Sequence, residues 1–253
     1  PVIASAMDGV TDTKTSVIMS KFGGLSVLNL EGIQTRYERP DEVLEEIAQA
    51  PNDQITALMQ KIYSQPMRDE LVAKRIKEIK QEGAVCAVSV TPANTKRLAN
   101  IIVEAGADIL VVASTVTTAR HISKSYKGLS FVELCNTVPI PVVVGNCVSY
   151  SPCLELMRTG VAAVLVGVGP GAACTSREVL GIGVPQITAT MDCAAARDDY
   201  EKESGRYVPI VTDGGFRKGG DICKAFVAGA DAVMLGSILA QAKESPGRGY
   251  HWG

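Results

Sequence analysis

Nine short runs rich in Val, Ile, Ala and Leu, at residues 1–6, 25–30, 55–60, 84–90, 109–114, 140–146, 162–168, 209–212 and 232–236, set the strongest limit on what this chain can fold into. They do not alternate polar with apolar residues, which is the pattern of strands buried on both faces of a parallel sheet. Between them, residues 68–81, 96–105, 151–158 and 221–227 carry apolar side chains at helical spacing with charges opposite. Parallel neighbours need a crossover, so this order reads as repeated βα units.

A recurring phrase supports that reading. Glu104-Ala105-Gly106-Ala107-Asp108, Arg158-Thr159-Gly160-Val161-Ala162 and Val227-Ala228-Gly229-Ala230-Asp231 each stand just before a strand-like run. The glycine ends a helix in the left-handed conformation that costs it little, and a minimal loop follows. Strand entrances are therefore regular, whereas the exits are polar and glycine-rich: Ser5-Ala6-Met7-Asp8, Gly145-Asn146-Cys147, residues 167–174, Asp213-Gly214-Gly215 and Gly236-Ser237. In a (β/α)8 barrel the loops at that end carry the chemistry. A doubly wound open sheet is the competing architecture, but its G-x-G-x-x-G fingerprint is not met by Gly167-Val168-Gly169-Pro170-Gly171, which has the wrong spacing and an internal proline. The reading is one α/β domain over residues 1–253, a (β/α)8 TIM barrel. Nine runs for eight places leave one over, and 55–60, which precedes the charged helix at 68–81, is set aside as the extra strand.

The composition, 46% hydrophobic and 21% charged, is that of a globular domain. Lys+Arg 25 against Asp+Glu 27 leaves no cationic excess for nucleic acid or an anionic membrane. The longest apolar runs, 138–144 and 162–168, fall far short of the ~20 residues that span a bilayer. Because the chain opens on Pro1 inside a strand-like run, it is expected to be a terminally truncated piece of a longer protein. Seven cysteines, an odd and scattered set, favour free thiols in a reducing, cytoplasmic setting, most of them acting as small buried hydrophobes. Two histidines and no C-x-x-C pair leave a structural zinc site almost without ligands.

Residues 167–177 offer backbone groups that can converge on an ion or phosphate, since glycine presents no Cβ. Cys174 sits on this loop as a candidate nucleophile, with Arg177 nearby to favour its thiolate. Asp213-Gly214-Gly215 and Gly236-Ser237 close two successive late strands, the usual phosphate cradle of barrel enzymes, and Asp213 is placed to accept from sugar hydroxyls. An Asp there could also serve as a helix cap. Together the loops suggest a phosphorylated, sugar-containing ligand.

These residues resemble the IMP dehydrogenase/GMP reductase family. The resemblance is carried by Ile3-Ala4-Ser5-Ala6-Met7-Asp8-Gly9-Val10-Thr11, Val144-Gly145-Asn146, residues 167–178, Gly183-Val184-Pro185-Gln186, Asp213-Gly214-Gly215, and residues 229–237 followed by Glu244-Ser245-Pro246-Gly247. It implies that Cys174 bonds to C2 of a purine nucleotide while hydride passes between that carbon and NAD. Ser5 and Met7 would pack on the nucleotide, Asn146 would orient the reacting end, and Asp213 would hold the ribose. Gly214, Gly215, Gly236 and Ser237 would take the phosphate side with Gly171. Carbonyls of Gly169, Gly171 and Cys174 would line a monovalent-cation site for potassium, and Ser176 stands where the family usually has a threonine assisting the second half-reaction.

The chain also departs from the family pattern. Val112-Ala113-Ser114 lacks the family's cofactor-contacting Asp, leaving Ser114 as the cofactor-binding residue. Ala172 replaces a phosphate-binding Ser, and Leu165 stands where a basic residue is frequent. The interval 31–83 is too short for the CBS regulatory modules of many IMP dehydrogenases, so no CBS domain is expected and the likeness is to a compact bacterial branch. The implied activity is oxidation of IMP to XMP; NADPH-dependent reduction of GMP and a weakly active nucleotide-binding paralogue are the alternatives. A homotetramer or homo-octamer is expected. Arg36-Tyr37 imitates the family's Arg/Tyr base pair, His251 is a candidate ligand contact, and His121 reads as a surface residue.

Overall fold

In the computed structural model, which describes residues 1–120 and 128–252, eight parallel strands close into a barrel in the order of the sequence. The strands are β1 (Val2–Ala4), β2 (Leu25–Asn29), β3 (Ala87–Val90), β4 (Ile109–Ala113), β5 (Val142–Cys147), β6 (Ala163–Val166), β7 (Ile210–Asp213) and β8 (Ala232–Leu235). Closure is made by β1 on β8, with Val2 opposite Val233 and Ala4 opposite Leu235.

Two apolar layers explain why the strand runs fail to alternate. Val27, Ala87, Val111, Leu165, Val211, Ala232 and Met234 fill the barrel interior. Their chain neighbours Leu28, Val88, Leu110, Val112, Val164 and Val166 face outward into a second core against the helices. Both faces of each strand are largely dry, so apolar residues dominate both registers, and the few buried polar residues include Ser26, Ser89 and Thr212.

The outer layer is built from α1 (Thr13–Lys21), α2 (Pro40–Gln49), α3 (Ile55–Tyr63), α4 (Asp69–Gln81), α5 (Pro92–Glu104), α6 (Phe131–Thr137), α7 (Tyr150–Met157), α8 (Ser176–Val179), α9 (Gln186–Ser204), α10 (Gly219–Val227) and α11 (Ser237–Ala240). No helix among the described residues is long and apolar enough to cross a membrane. The run at 55–60 is indeed no barrel strand, but its reading as an extra strand is corrected, since it opens α3. Ile55, Leu58 and Ile62 recur at three and four residues and pack with Ile33, Val43, Leu44 and Ile47 of the β2–α2 region. A short apolar run does not by itself separate the two periods.

The recurring glycine phrase has a physical cause at each site. Gly106, Gly160 and Gly229 adopt φ of 91°, 96° and 102° after their helices. The aspartates that close two of the phrases tie the preceding strand: Asp108 accepts from the Cys86 amide at 2.7 Å and Asp231 from the Ile210 amide at 2.8 Å. Lys80 and Arg197 pair with these two carboxylates.

Gly145 is held to its size by β6. A Cβ there would fall 2.4 Å from Leu165 Cβ and 2.7 Å from the Leu165 carbonyl oxygen. Gly145→Ala is expected to cost about 1–3 kcal/mol through overpacking, read as a lower urea midpoint at unchanged slope.

Candidate active site

All of the strand exits singled out above open on one end of the barrel, where a cavity of about 440 Å³ brings them together. Ser5 and Met7 enter it from β1, Ser114 from β4, Asn146 from β5, Gly167 and residues 169–176 from β6, Asp213, Gly214 and Gly215 from β7, and Gly236 and Ser237 from β8. His251 completes the wall. The Asn146 amide donates to Asp213 Oδ2 at 2.8 Å. Burial pushes the Asp213 carboxyl above the usual carboxylate range, and the Asn146 bond opposes that rise. Asp213 caps no helix; its side chain is committed to the cavity.

Close approach explains the glycines on the phosphate side. A Cβ on Gly236 would meet Met7 Sδ and Ser5 Oγ, each at 3.2 Å. Gly215 has φ of 86° and lies under Pro170, whose carbonyl oxygen its Cβ would approach to 3.3 Å. Ser5 Oγ is buried without a hydrogen-bond partner. An unpaired buried hydroxyl is costly unless a ligand completes it, so the residues present fit a polar ligand seated against Ser5, Met7 and Gly236.

The β6 loop is braced from its own far side. Arg177 donates from Nε to the Val168 carbonyl at 3.2 Å and from Nη2 to the Val184 carbonyl at 2.5 Å. The expectation that Arg177 serves the Cys174 thiolate is thereby corrected: its guanidinium is spent on loop carbonyls and holds the loop's shape. Cys174 is exposed; its amide donates to the Gly171 carbonyl at 3.1 Å and its thiol to Ser176 Oγ at 3.3 Å. Gln186, at the start of α9, donates to the carbonyls of Val166 at 2.7 Å and Asp213 at 3.1 Å, stitching β6 to β7 beneath the cavity.

Other sequence readings separate. Arg36 donates to the Glu31 carbonyl and Tyr37 to the Ile62 carbonyl, so this pair braces a connection and does not line the cavity. Leu165, where the family frequently has a basic residue, is 2% exposed in the barrel interior and does not line the cavity. Ala172 does line the cavity. His121 lies outside the described residues. Sequence reasoning missed Thr115 and Phe216, although they directly follow Ser114 and the Asp213-Gly214-Gly215 exit. It also treated the cysteines as scattered, whereas the sulfurs of Cys147, Cys153 and Cys193 lie within 4.8 Å of one another in the buried core.

A closed parallel barrel with an exposed thiol, a half-buried Asn–Asp pair and a glycine cradle at one mouth has the architecture of a (β/α)8 enzyme domain with its site at the strand exits. The description "IMP dehydrogenase / GMP reductase domain" matches residues 1–252, and the chain belongs to that family. It is 38% identical to an uncharacterized oxidoreductase of Mycolicibacterium smegmatis, over all of this chain and 69% of that protein. It is 32% identical to the inosine-5'-monophosphate dehydrogenase of Cryptosporidium parvum, over 98% of this chain and 61% of that one. The crystal structure of an IMP dehydrogenase/GMP reductase-like protein from Corynebacterium glutamicum superposes with a TM-score of 0.92 at 36% identity, covering 100% of this chain and 67% of that one.

Exposure separates the thiols. Iodoacetamide is expected to modify Cys174 and Cys223 well before the buried Cys86, Cys147, Cys153 and Cys193, as read by peptide mass mapping over time.

Proposed function

We propose that this chain oxidises IMP to XMP with NAD through a covalent bond between Cys174 Sγ and purine C2. The observation that carries the reading is the exposed Cys174 sulfur in the same cavity as the Asn146–Asp213 pair and the Gly214, Gly215 and Gly236 cradle. Cys174 Sγ adds to C2, and the hydrogen on that carbon departs with its electron pair. A bound nicotinamide supplies the acceptor for that hydride. Water then adds at C2 and the C–S bond breaks, returning the thiol; overall IMP, NAD and water give XMP, NADH and a proton. Asp213 accepts from the ribose hydroxyls, Asn146 fixes the carboxylate's rotamer, and Ser176, already bonded to the sulfur, places a hydroxyl beside the reacting carbon.

Ser114 Oγ has a single proton to give to its neighbours Val116 O and Thr117 Oγ1, so lone pairs remain to accept from a cofactor hydroxyl. Ser114 and Thr115 would hold the cofactor there. Carbonyls of Gly169, Gly171 and Cys174, a donor set without a carboxylate, suit a large, weakly charged cation such as potassium.

A second reading, reduction of GMP to IMP and ammonia with NADPH, is open to the same cavity, because a Cys174 adduct at C2 can form from either nucleotide. Turnover assays with each nucleotide and cofactor pair decide: NADH formed from IMP supports the first, ammonia released from GMP the second. Tight nucleotide binding with neither product would reduce the chain to a nucleotide-binding paralogue.

Cys174→Ala is expected to lower turnover by roughly three orders of magnitude or more while leaving the IMP dissociation constant within a few-fold. Retained turnover would remove Cys174 from its role. Binding also carries a pH signature. Because burial raises the Asp213 carboxyl, its acceptor form is lost as pH falls through a value above 3.8, and IMP affinity should fall with it. Asp213→Asn should bind IMP about tenfold to a hundredfold more weakly and, in calorimetry across pH, lack that part of the dependence.

A further inference from the structure

Asp8, just past β1, is 2% exposed and forms no ion pair among the described residues; burial raises its carboxyl, opposed by two donors to Oδ2 and by the charge of Arg36. The donors are the Tyr63 hydroxyl at 2.6 Å, from the last residue of α3, and the Ile33 amide at 3.1 Å. Oδ1 is buried without a partner. The Tyr63 hydroxyl in turn accepts from the indole N–H of Trp252 at 2.6 Å. A phenol has one proton, and here it goes to the carboxylate while its lone pair takes the indole proton. The three groups form a single directional chain, each link polarising the next.

This chain ties together parts of the molecule that are far apart in sequence. The indole packs with Tyr37 and Tyr63 against Ile33, Leu44 and Ile47, and a Cβ on Gly9 would strike the Tyr250 carbonyl oxygen at 2.7 Å and the Trp252 ring at 3.1 Å. Residues 250–252 therefore lie flat on the β1 exit, locked at Trp252. His251, between Tyr250 and the locked indole, lines the cavity.

We propose that Asp8 and Tyr63 are positioning residues which, through Trp252, hold His251 in the wall of the nucleotide cavity. The inference rests on the reading of that cavity as a nucleotide site. The barrel core itself does not account for the arrangement: a buried carboxylate with no ion-paired cation, only two donors and the nearby charge of Arg36 over the Tyr63 ring, is costly, and here it orders a segment whose neighbouring residue reaches the cavity.

Trp252 is the one tryptophan of the chain, so its emission reports the lock directly in the intact protein. IMP is titrated by calorimetry and by fluorescence into the wild type, Tyr63→Phe, Asp8→Asn, His251→Ala and the Tyr63→Phe/His251→Ala pair. Tyr63→Phe keeps the packed ring and removes both hydrogen bonds. It should shift the emission of the unliganded protein and weaken IMP about tenfold, with little added loss in the pair, as expected when two residues act through one contact. Asp8→Asn, whose amide oxygen still accepts from Tyr63, should keep most of the affinity and tests the lock independently if Tyr63→Phe fails to fold. Wild-type affinity in Tyr63→Phe, additive losses in the pair, or a tenfold loss in Asp8→Asn would overturn the proposal. Failure of the wild type to bind IMP would instead overturn the nucleotide reading itself.

Discussion

Closure of the sheet by β1 on β8 is the constraint from which the rest follows. With Ala4 paired to Leu235, the exits of the first and last strands are neighbours, so Ser5 and Met7 meet Gly236 although more than two hundred residues separate them in the chain. The same closure makes the barrel interior a plug of mainly Val, Ala, Leu and Met beneath the mouth. A parallel sheet turns every exit toward the same end, so the polar loops converge there, the β6 exit running from residue 167 to the start of α9 at Gln186.

The fold was legible because its causes are local. Strands dry on both faces, helices ended by Gly106, Gly160 and Gly229, and the tying aspartates each leave a mark within a few residues. Candidate site residues were legible for a related reason: tight exit loops need glycine, and Gly215 and Gly236 show that need as short-range crowding while Gly214 shows it in a φ of 81°. What sequence could not show were pairings across the barrel. Arg177 beside Cys174 suggested electrostatic activation, but the partners of its guanidinium are carbonyls at Val168 and Val184. The Cys147, Cys153 and Cys193 cluster joins a strand and two helices, and no spacing rule connects them. Residues 55–60 looked extended because a short apolar run satisfies both periods until its neighbours are known.

Electrostatically, the cavity is built to be finished by its ligand. Asp213 is half-buried in the cavity wall with a single amide donor on its side chain, and Ser5 Oγ has none. Each tolerates its situation in the free protein at some cost, and a hydroxyl-bearing, anionic ligand would relieve both. Gln186 meanwhile holds the main chain of β6 and β7 in register beneath the ligand, so the positions of Asp213 and of the Cys174 loop are set by one side chain.

The helical hairpin in the β2–β3 crossover decides where this barrel tolerates added sequence. Its tip, around residues 51–54, is exposed and touches nothing in the mouth, whereas Arg68 at the far end is bonded through its amide to the Thr35 carbonyl. A guest domain spliced into the tip would leave Tyr63 anchored. The same splice between Tyr63 and Asp69 would sever the hairpin from its foundation, so one connection offers both a permissive port and a forbidden one only ten residues apart.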